Sequence, residues 1–208
     1  MKNLILVDNP LIKRDVTILR DKRTKEYEFR LALKRIAYCL AIKISDEFQL
    51  NKIEVESPLE TTNGYELSQQ IVLVPVLRAG LSFVSSFIEL IPEAKVGHIG
   101  IRRDEKTLQP LDYYYKTPKN LNVSKVILLD PMLATGGSAS AAINFLKERG
   151  ANDITISCLI AAPEGINRIN KDHGDVKIFV AALDRELNSN GFILPGLGDA
   201  GDRTFGTI

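Results

Sequence analysis

The sequence predicts an α/β protein with a central parallel sheet flanked by helices, a helical N-terminal segment and a projecting β-hairpin. Three observations carry that prediction. Short apolar, β-rich runs recur from residue 70 onward, and most are followed by a helical stretch. Such alternation suits parallel strands covered on both faces, because each crossover helix must pack back on the sheet. The chain before that point is charged and helical in its spacing. Between Arg102 and Pro118 the apolar rhythm gives way to a polar and aromatic stretch, DEKTLQPLDYYYKT.

Each element has its own signal. From Thr24 to about Phe48 there is no Gly or Pro, and Phe29, Leu33, Ile36, Leu40 and Ile44 recur every three or four positions. That stripe predicts a long amphipathic helix ending before Asn51. Lys52–Ser57 alternates like a short edge strand, and Thr61-Thr62-Asn63-Gly64 reads as a turn. Strands are predicted at Ile71–Val76, Val96–Ile101, Val126–Leu129, Ile154–Ile160 and Lys177–Ala182, and helices at Leu81–Leu90, Ser138–Arg149 and Glu164–Asp172. Gly150 follows Lys147 and Arg149, where a helix stop belongs. Tyr113–Lys116 is expected to return as the second arm of the hairpin. The expectation is one domain over 1–208, with a helical N-terminal segment at 1–66 and a hairpin at 102–118.

Composition bounds the function. A chain of 208 residues can bury one substantial core. Basic and acidic residues nearly cancel, 27 against 26, and no Lys/Arg cluster extends beyond Lys13-Arg14 and Arg102-Arg103. That balance argues against nucleic acid or anionic lipid as a partner. Apolar runs such as Ile71–Leu77 stop far short of the roughly 18 residues of a membrane span. Leu4–Val7 is too short for a signal-peptide core. Cys39 and Cys158 lie apart in apolar stretches and read as buried thiols, so a cytoplasmic location is expected. His98 and His173 lack metal-ligand company and read as structural.

The chemistry gathers where strands are predicted to end, the usual place for ligands in open α/β sheets. ILLDPMLATGGSAS, residues 127–140, runs a strand into Asp130 and then into Thr135-Gly136-Gly137-Ser138 before a helix. Backbone N–H groups of such a loop converge on an anion, with the helix N-terminus behind them. No lysine lies in the loop, so it is not a Walker-type nucleotide loop. A carboxylate set apart from that cradle can accept hydrogen bonds from two sugar hydroxyls. Together the two describe a ribose 5-phosphate site, whereas TGGS alone would be equally compatible with an ordinary βα turn. Arg78 follows a buried strand and precedes Ala-Gly, and Arg103 follows Ile101. Both are candidates to bring positive charge to the same strand ends.

Residues 130–138, DPMLATGGS, resemble the phosphoribosyl pyrophosphate signature of the type I phosphoribosyltransferases, in the form found in uracil phosphoribosyltransferases. VPVLRAGLSF around Arg78 resembles their pyrophosphate loop, IRRDEKTLQP the base of their mobile hairpin, and PGLGDAGDRTFGT, 195–207, their uracil-binding tail. LRDKRT from Leu19 and APEGI at 162–166 extend the likeness over nearly the whole chain.

The resemblance implies the type I phosphoribosyltransferase fold and transfer of the phosphoribosyl group to uracil N1, giving UMP and pyrophosphate. It assigns the ribosyl donor to Arg78, Arg103, Asp130, Pro131, Met132, Leu133, Ala134, Thr135, Gly136, Gly137, Ser138 and Asp199. Uracil falls to Ile193, Gly198, Asp199 and Ala200, and the catalytic roles to Arg78, Arg103 and Asp199. It also implies a cis Leu77–Arg78 peptide, a lid over Asp104–Thr117, a homodimer or larger homo-oligomer, and GTP as a candidate activator. Most type I members carry two adjacent acids at the strand end, but here Leu129 takes the first place. Magnesium is therefore expected to be held mainly through the pyrophosphate, with no protein residue assigned as its ligand. An RNA-binding regulator on the same fold would need a basic face, and a purine or orotate enzyme a different tail.

Overall fold

A computed structural model describes residues 3–103 and 110–207, with the backbone alone for 101–103 and 110–113. The chain opens with β1 (Leu4–Leu6), α1 (Pro10–Arg20) and α2 (Glu26–Ser45). Asn9 caps α1, accepting the Leu11 N–H, and proline occupies its first turn, where the absent N–H costs nothing. A hairpin of β2 (Leu50–Glu56) and β3 (Thr61–Leu67) follows. Then come β4 (Gln70–Pro75), α3 (Leu81–Leu90), β5 (Lys95–Val96), β6 (His98–Arg103) and β7 (Pro110–Lys116). The second half runs β8 (Ser124–Leu129), β9 (Met132–Leu133), α4 (Gly137–Glu148), β10 (Asp153–Ala161), α5 (Pro163–Asp172) and β11 (Lys177–Leu183). It closes with β12 (Glu186–Leu187), β13 (Ile193–Leu194) and α6 (Ala200–Phe205).

The main sheet has the order β1-β11-β10-β8-β4-β5, with β9 added beside β10, and every pairing is parallel. Side chains alternate between its faces as strand geometry demands. Ile71, Leu73, Ile127 and Leu129 pack on one side with Phe29, Leu33, Ile36, Phe83 and Phe87 of α2 and α3. Val72, Val74, Val126 and Leu128 pack on the other with Ile143 and Leu146 of α4 and Ile166 and Ile169 of α5. After β4 the chain adds β5 on one side and β8 on the other. The carboxyl ends of β4 and β8 therefore flank a topological switch point, where open α/β sheets bind ligands.

Several sequence expectations need correcting. Segment 1–66 is not helical throughout: Leu4, Ile5 and Leu6 pair with Ile178, Phe179 and Val180 as an outer strand of the main sheet. The alternation at Lys52–Ser57 is one arm of a separate hairpin, not an edge of that sheet. Thr61–Gly64 is strand, with Gly64 opposite Ile53; the reversal comes at Ser57–Glu60, where Ser57 Oγ accepts the Leu59 and Glu60 N–H groups. The Asn63-Gly64 turn signal fails because glycine serves space instead: a Cβ at Gly64 would lie 2.5 Å from Val55 Cγ2.

The expected strand Val96–Ile101 divides at Gly97, leaving β5 in the main sheet and sending β6 out to pair antiparallel with β7. The paired arms thus start at His98, earlier than the 102–118 expected, and the turn at 104–109 lies outside the described residues. Cys158 is buried, but Cys39 is only half-buried. His173 is structural as read: buried, its Nε2 lies 3.1 Å from Ser140 Oγ and ties α5 to α4.

Candidate active site

Asp130 is where β8 leaves the sheet. Its N–H still bonds Ser157 O at 3.1 Å, but Pro131 then bulges outward and its carbonyl takes the N–H groups of both Leu159 and Ile160. Pairing resumes at Met132 opposite Ile160. The step turns the Asp130 carboxyl toward a cavity of about 270 Å³ at the switch point. Only 9% of the residue is exposed, and one hydrogen bond, from the Met132 N–H at 3.3 Å, reaches the carboxyl. Burial pushes the acid up to about 6, with the Met132 bond opposing. Among the described residues no other hydrogen bond reaches this carboxyl.

The cradle forms across the same cavity. Gly136 has φ of 76° and stands as the N-cap of α4, a left-handed conformation that glycine adopts without steric cost. Thr135 and Ser138 are exposed on the cavity wall, and Thr135 Oγ1 accepts the Gly137 N–H at 3.4 Å. A second glycine sets the loop from behind. A Cβ on Gly165, in the first turn of α5, would lie 2.5 Å from Ala134 O, so the helix and loop touch backbone to backbone. This is the physical content of the APEGI stretch.

Arg78 reaches the cavity from the end of β4. The Leu77–Arg78 peptide is cis, as expected. Gly80 lets this turn fold against the sheet, since a Cβ there would sit 2.3 Å from Leu129 O. Arg78 Nη2 donates to Asp202 Oδ1 at 2.8 Å, tying the turn to α6. Arg103 ends β6, opposite Pro110, and the expected lid over Asp104–Thr117 falls partly outside the described residues.

The tail builds a second cavity of about 230 Å³, lined by Phe192, Ile193, Gly198, Asp199 and Ala200. It adjoins the first: Ala79, Met132, Ala134, Asp199 and Gly201 line both. Gly196 and Gly198 have φ of 61° and 81°, and the Leu194–Pro195 peptide is cis. Asp199 caps α6, accepting the Asp202 N–H at 2.9 Å. Of the predicted donor residues, Arg78, Asp130, residues 132–138 and Asp199 line the first space and all four predicted uracil residues line the second, with Asp199 in both; Pro131 does not line the first, and the Arg103 side chain lies outside the described residues.

Other residues that shape this site escaped the motif reading. Asp184 accepts the Gly196 N–H at 2.9 Å and pairs with Arg20. Arg203 donates to the carbonyls of Leu19, Leu197 and Asp21, its guanidinium 4.5 Å from the Phe29 ring centroid. Arg30 donates to Thr204 O at 2.9 Å. Their only signals were Arg20 within LRDKRT and Arg203 within the tail; nothing marked Asp184 or Arg30.

This combination of a parallel sheet, a glycine loop at the head of a helix and a carboxylate at the switch point is that of a phosphoribosyltransferase. A purine phosphoribosyltransferase structure from Pyrococcus horikoshii shares the fold, with a TM-score of 0.54 at 16% identity over 75% of this chain and 85% of that one. The sequence profile of the uracil phosphoribosyltransferases matches residues 6–207. A uracil phosphoribosyltransferase of Finegoldia magna is 51% identical over 208 residues, covering 100% of both chains. A solved structure of an Aquifex aeolicus protein aligns with a TM-score of 0.90 and 38% identity over 97% of each chain. The chain belongs to the uracil phosphoribosyltransferase family.

Proposed function

We propose that the two adjoining cavities are the working site of this transferase, the larger holding phosphoribosyl pyrophosphate and the smaller holding uracil. One observation carries the reading. Asp130 and the Thr135–Ser138 cradle face a space that opens directly on the one lined by Ile193 and Gly198–Ala200. The N–H groups of 135–138 receive the 5-phosphate, and Asp130 accepts the ribose hydroxyls. Pro131, Met132, Leu133 and Ala134 carry the backbone between these two contacts. Arg78 and Arg103 meet the pyrophosphate, Ile193 lies against the base, and the peptide groups of Gly198–Ala200 read its edge.

The C1′–oxygen bond to pyrophosphate breaks as uracil N1 bonds C1′, and the N1 proton passes through water to solvent or to the departing pyrophosphate. Cationic character on the ribose ring is matched by Asp199 at the join of the cavities, while arginine charge matches the departing pyrophosphate. Among the described residues no group of three His, Cys, Asp or Glu side chains is placed to hold a metal. Magnesium carried by the pyrophosphate would need no direct protein ligand, and Asp130 and Asp199 are the carboxylates that line this cavity. When bound, the ion neutralises leaving-group charge.

The same reading includes a homo-oligomer, on the resemblance alone. It also includes GTP as activator, on the resemblance alone, and a cytoplasmic location. Among the described residues no helix is long and apolar enough to cross a membrane. The test is direct. Purified protein is incubated with phosphoribosyl pyrophosphate, magnesium and each nucleobase, and the nucleotide formed is identified. UMP from uracil is expected, with no nucleotide from adenine, guanine, hypoxanthine or orotate. A purine nucleotide as the main product would overturn the reading.

A further inference from the structure

Arg78 has a difficult task for an exposed side chain. Its side chain is 58% exposed, and an untethered arginine spreads over many rotamers, only some of which point into the cavity. Here one residue restrains it. Asp202 Oδ1 accepts from Arg78 Nη2 at 2.8 Å and from Thr207 Oγ1 at 2.6 Å. The Asp202 backbone is fixed as well: its N–H bonds Asp199 Oδ1 at 2.9 Å, and its carbonyl takes the N–H groups of Gly206 and Thr207 at 2.7 and 3.2 Å. The Thr207 hydroxyl and then the Arg78 guanidinium hold the Asp202 carboxyl below the usual carboxylate range, so it is ionised at neutral pH.

We infer that Asp202 is a positioning residue for Arg78, through which the base-binding tail aims the guanidinium that receives pyrophosphate. The bonds form a chain: Asp199, which lines both cavities, caps α6; Asp202 sits in the first turn of that helix; Arg78 hangs from Asp202. Thr207 acts at one remove, by orienting the carboxylate. The inference rests on the reading of Arg78 as a pyrophosphate ligand.

The test compares wild type, Asp202→Asn, Thr207→Val and Arg78→Ala in the complete chain with magnesium. It measures kcat, KM for each substrate, inhibition by pyrophosphate, and Tm. Asp202→Asn should raise the KM for phosphoribosyl pyrophosphate and weaken pyrophosphate inhibition by about 5- to 20-fold, an exposed charged hydrogen bond being worth less than a buried one. The uracil KM and Tm should stay near wild type, and Thr207→Val should give a smaller change in the same direction. Three results would overturn the inference. The first is Asp202→Asn unchanged while Arg78→Ala loses donor affinity. The second is KM values rising equally for both substrates with a fall in Tm, which marks a merely structural cap. The third is tighter pyrophosphate binding in Asp202→Asn, which would make Asp202 a competitor for Arg78. If Arg78→Ala itself leaves both donor parameters unchanged, the assignment of Arg78 falls, and the inference with it.

Discussion

On the proposed reading Asp130 answers two opposed demands, because a carboxylate that would accept sugar hydroxyls in its ionised form is held where ionisation is unfavourable. Its acid is raised to about 6 from 3.8, so the folded state binds a proton more tightly than the unfolded chain does. Stability conferred by that proton is present below pH 3.8 and is lost as pH rises through about 6. At neutral pH the buried charge costs about 3 kcal/mol. Asp130→Asn should therefore raise Tm at pH 7.5, with the gain vanishing near pH 4 in a thermal melt series. The same substitution should weaken binding of phosphoribosyl pyrophosphate by about ten- to a hundredfold, the value of a charge-assisted acceptor. A Tm unchanged at pH 7.5 would show the carboxylate to be better solvated than its burial indicates. In wild type, donor affinity should fall as pH drops below about 6, where the acid is protonated; calorimetric titration between pH 5 and 8 would show it. That Asp130 and Thr135–Ser138 line one cavity could be expected from the sequence, because they fall within nine consecutive residues, 130–138. The bond from Asp202 to Arg78 spans 124 positions, and no local pattern encodes it.

Between elements, the decisive contacts are backbone on backbone. The first turn of α5 presses on the phosphate loop at Gly165, whose missing Cβ leaves room for the carbonyls of Leu133 and Ala134. Gly165→Ala would place a methyl 2.5 Å from Ala134 O, and the loop must shift because a backbone carbonyl cannot rotate away alone. Displacement of a substrate-positioning group by about 1 Å can cost a hundredfold. The KM for the ribosyl donor should thus rise by about 10- to 100-fold, with the uracil KM little changed; steady-state kinetics with each substrate varied would check the split. An equal rise in both would mean that the shift spreads to the tail. Elements of the main sheet were readable for a related reason. Parallel strands buried on both faces, such as β4 and β8, appear as unbroken apolar runs, and α3 falls at Leu81–Leu90 as its spacing predicts. β1 was not readable, since three residues carry no period and their pairing with β11 is set entirely by contacts across the fold.

Across the whole molecule, the tail proposed to read the base is fastened to the opposite end of the chain. Arg20 reaches Asp184 and Gly196 O, Arg30 reaches Thr204 O, and Arg203 reaches back to Leu19 and Asp21 between α1 and α2. Glycines and a cis proline let 195–201 adopt its course, but they do not hold it there. The arginines supply that restraint, and Arg203 supplies most of it: its donors meet three carbonyls while its flat face lies 4.5 Å from the Phe29 ring centroid. A guanidinium fits this place because it offers several donors in a fixed plane and stacks on an aromatic face, which an ammonium does not. Arg203→Lys should therefore fail to restore what Arg203→Ala loses. Both variants leave carbonyls without donors, at about 1–3 kcal/mol each where water cannot reach. Both should lower Tm. The phosphate cradle rests on α4 and α5 and touches none of these arginines, so it should survive the loss. The expected outcome is a uracil KM raised about tenfold or more through misplacement of Gly198–Ala200, with the donor KM rising by no more than Asp202→Asn raises it, since Asp202 lies in the same helix as Arg203. Isothermal titration with phosphoribosyl pyrophosphate alone, beside kinetics with uracil varied, separates the two effects. Donor binding lost together with uracil binding would show that the N-terminal helices support the whole sheet end and not the base loop alone.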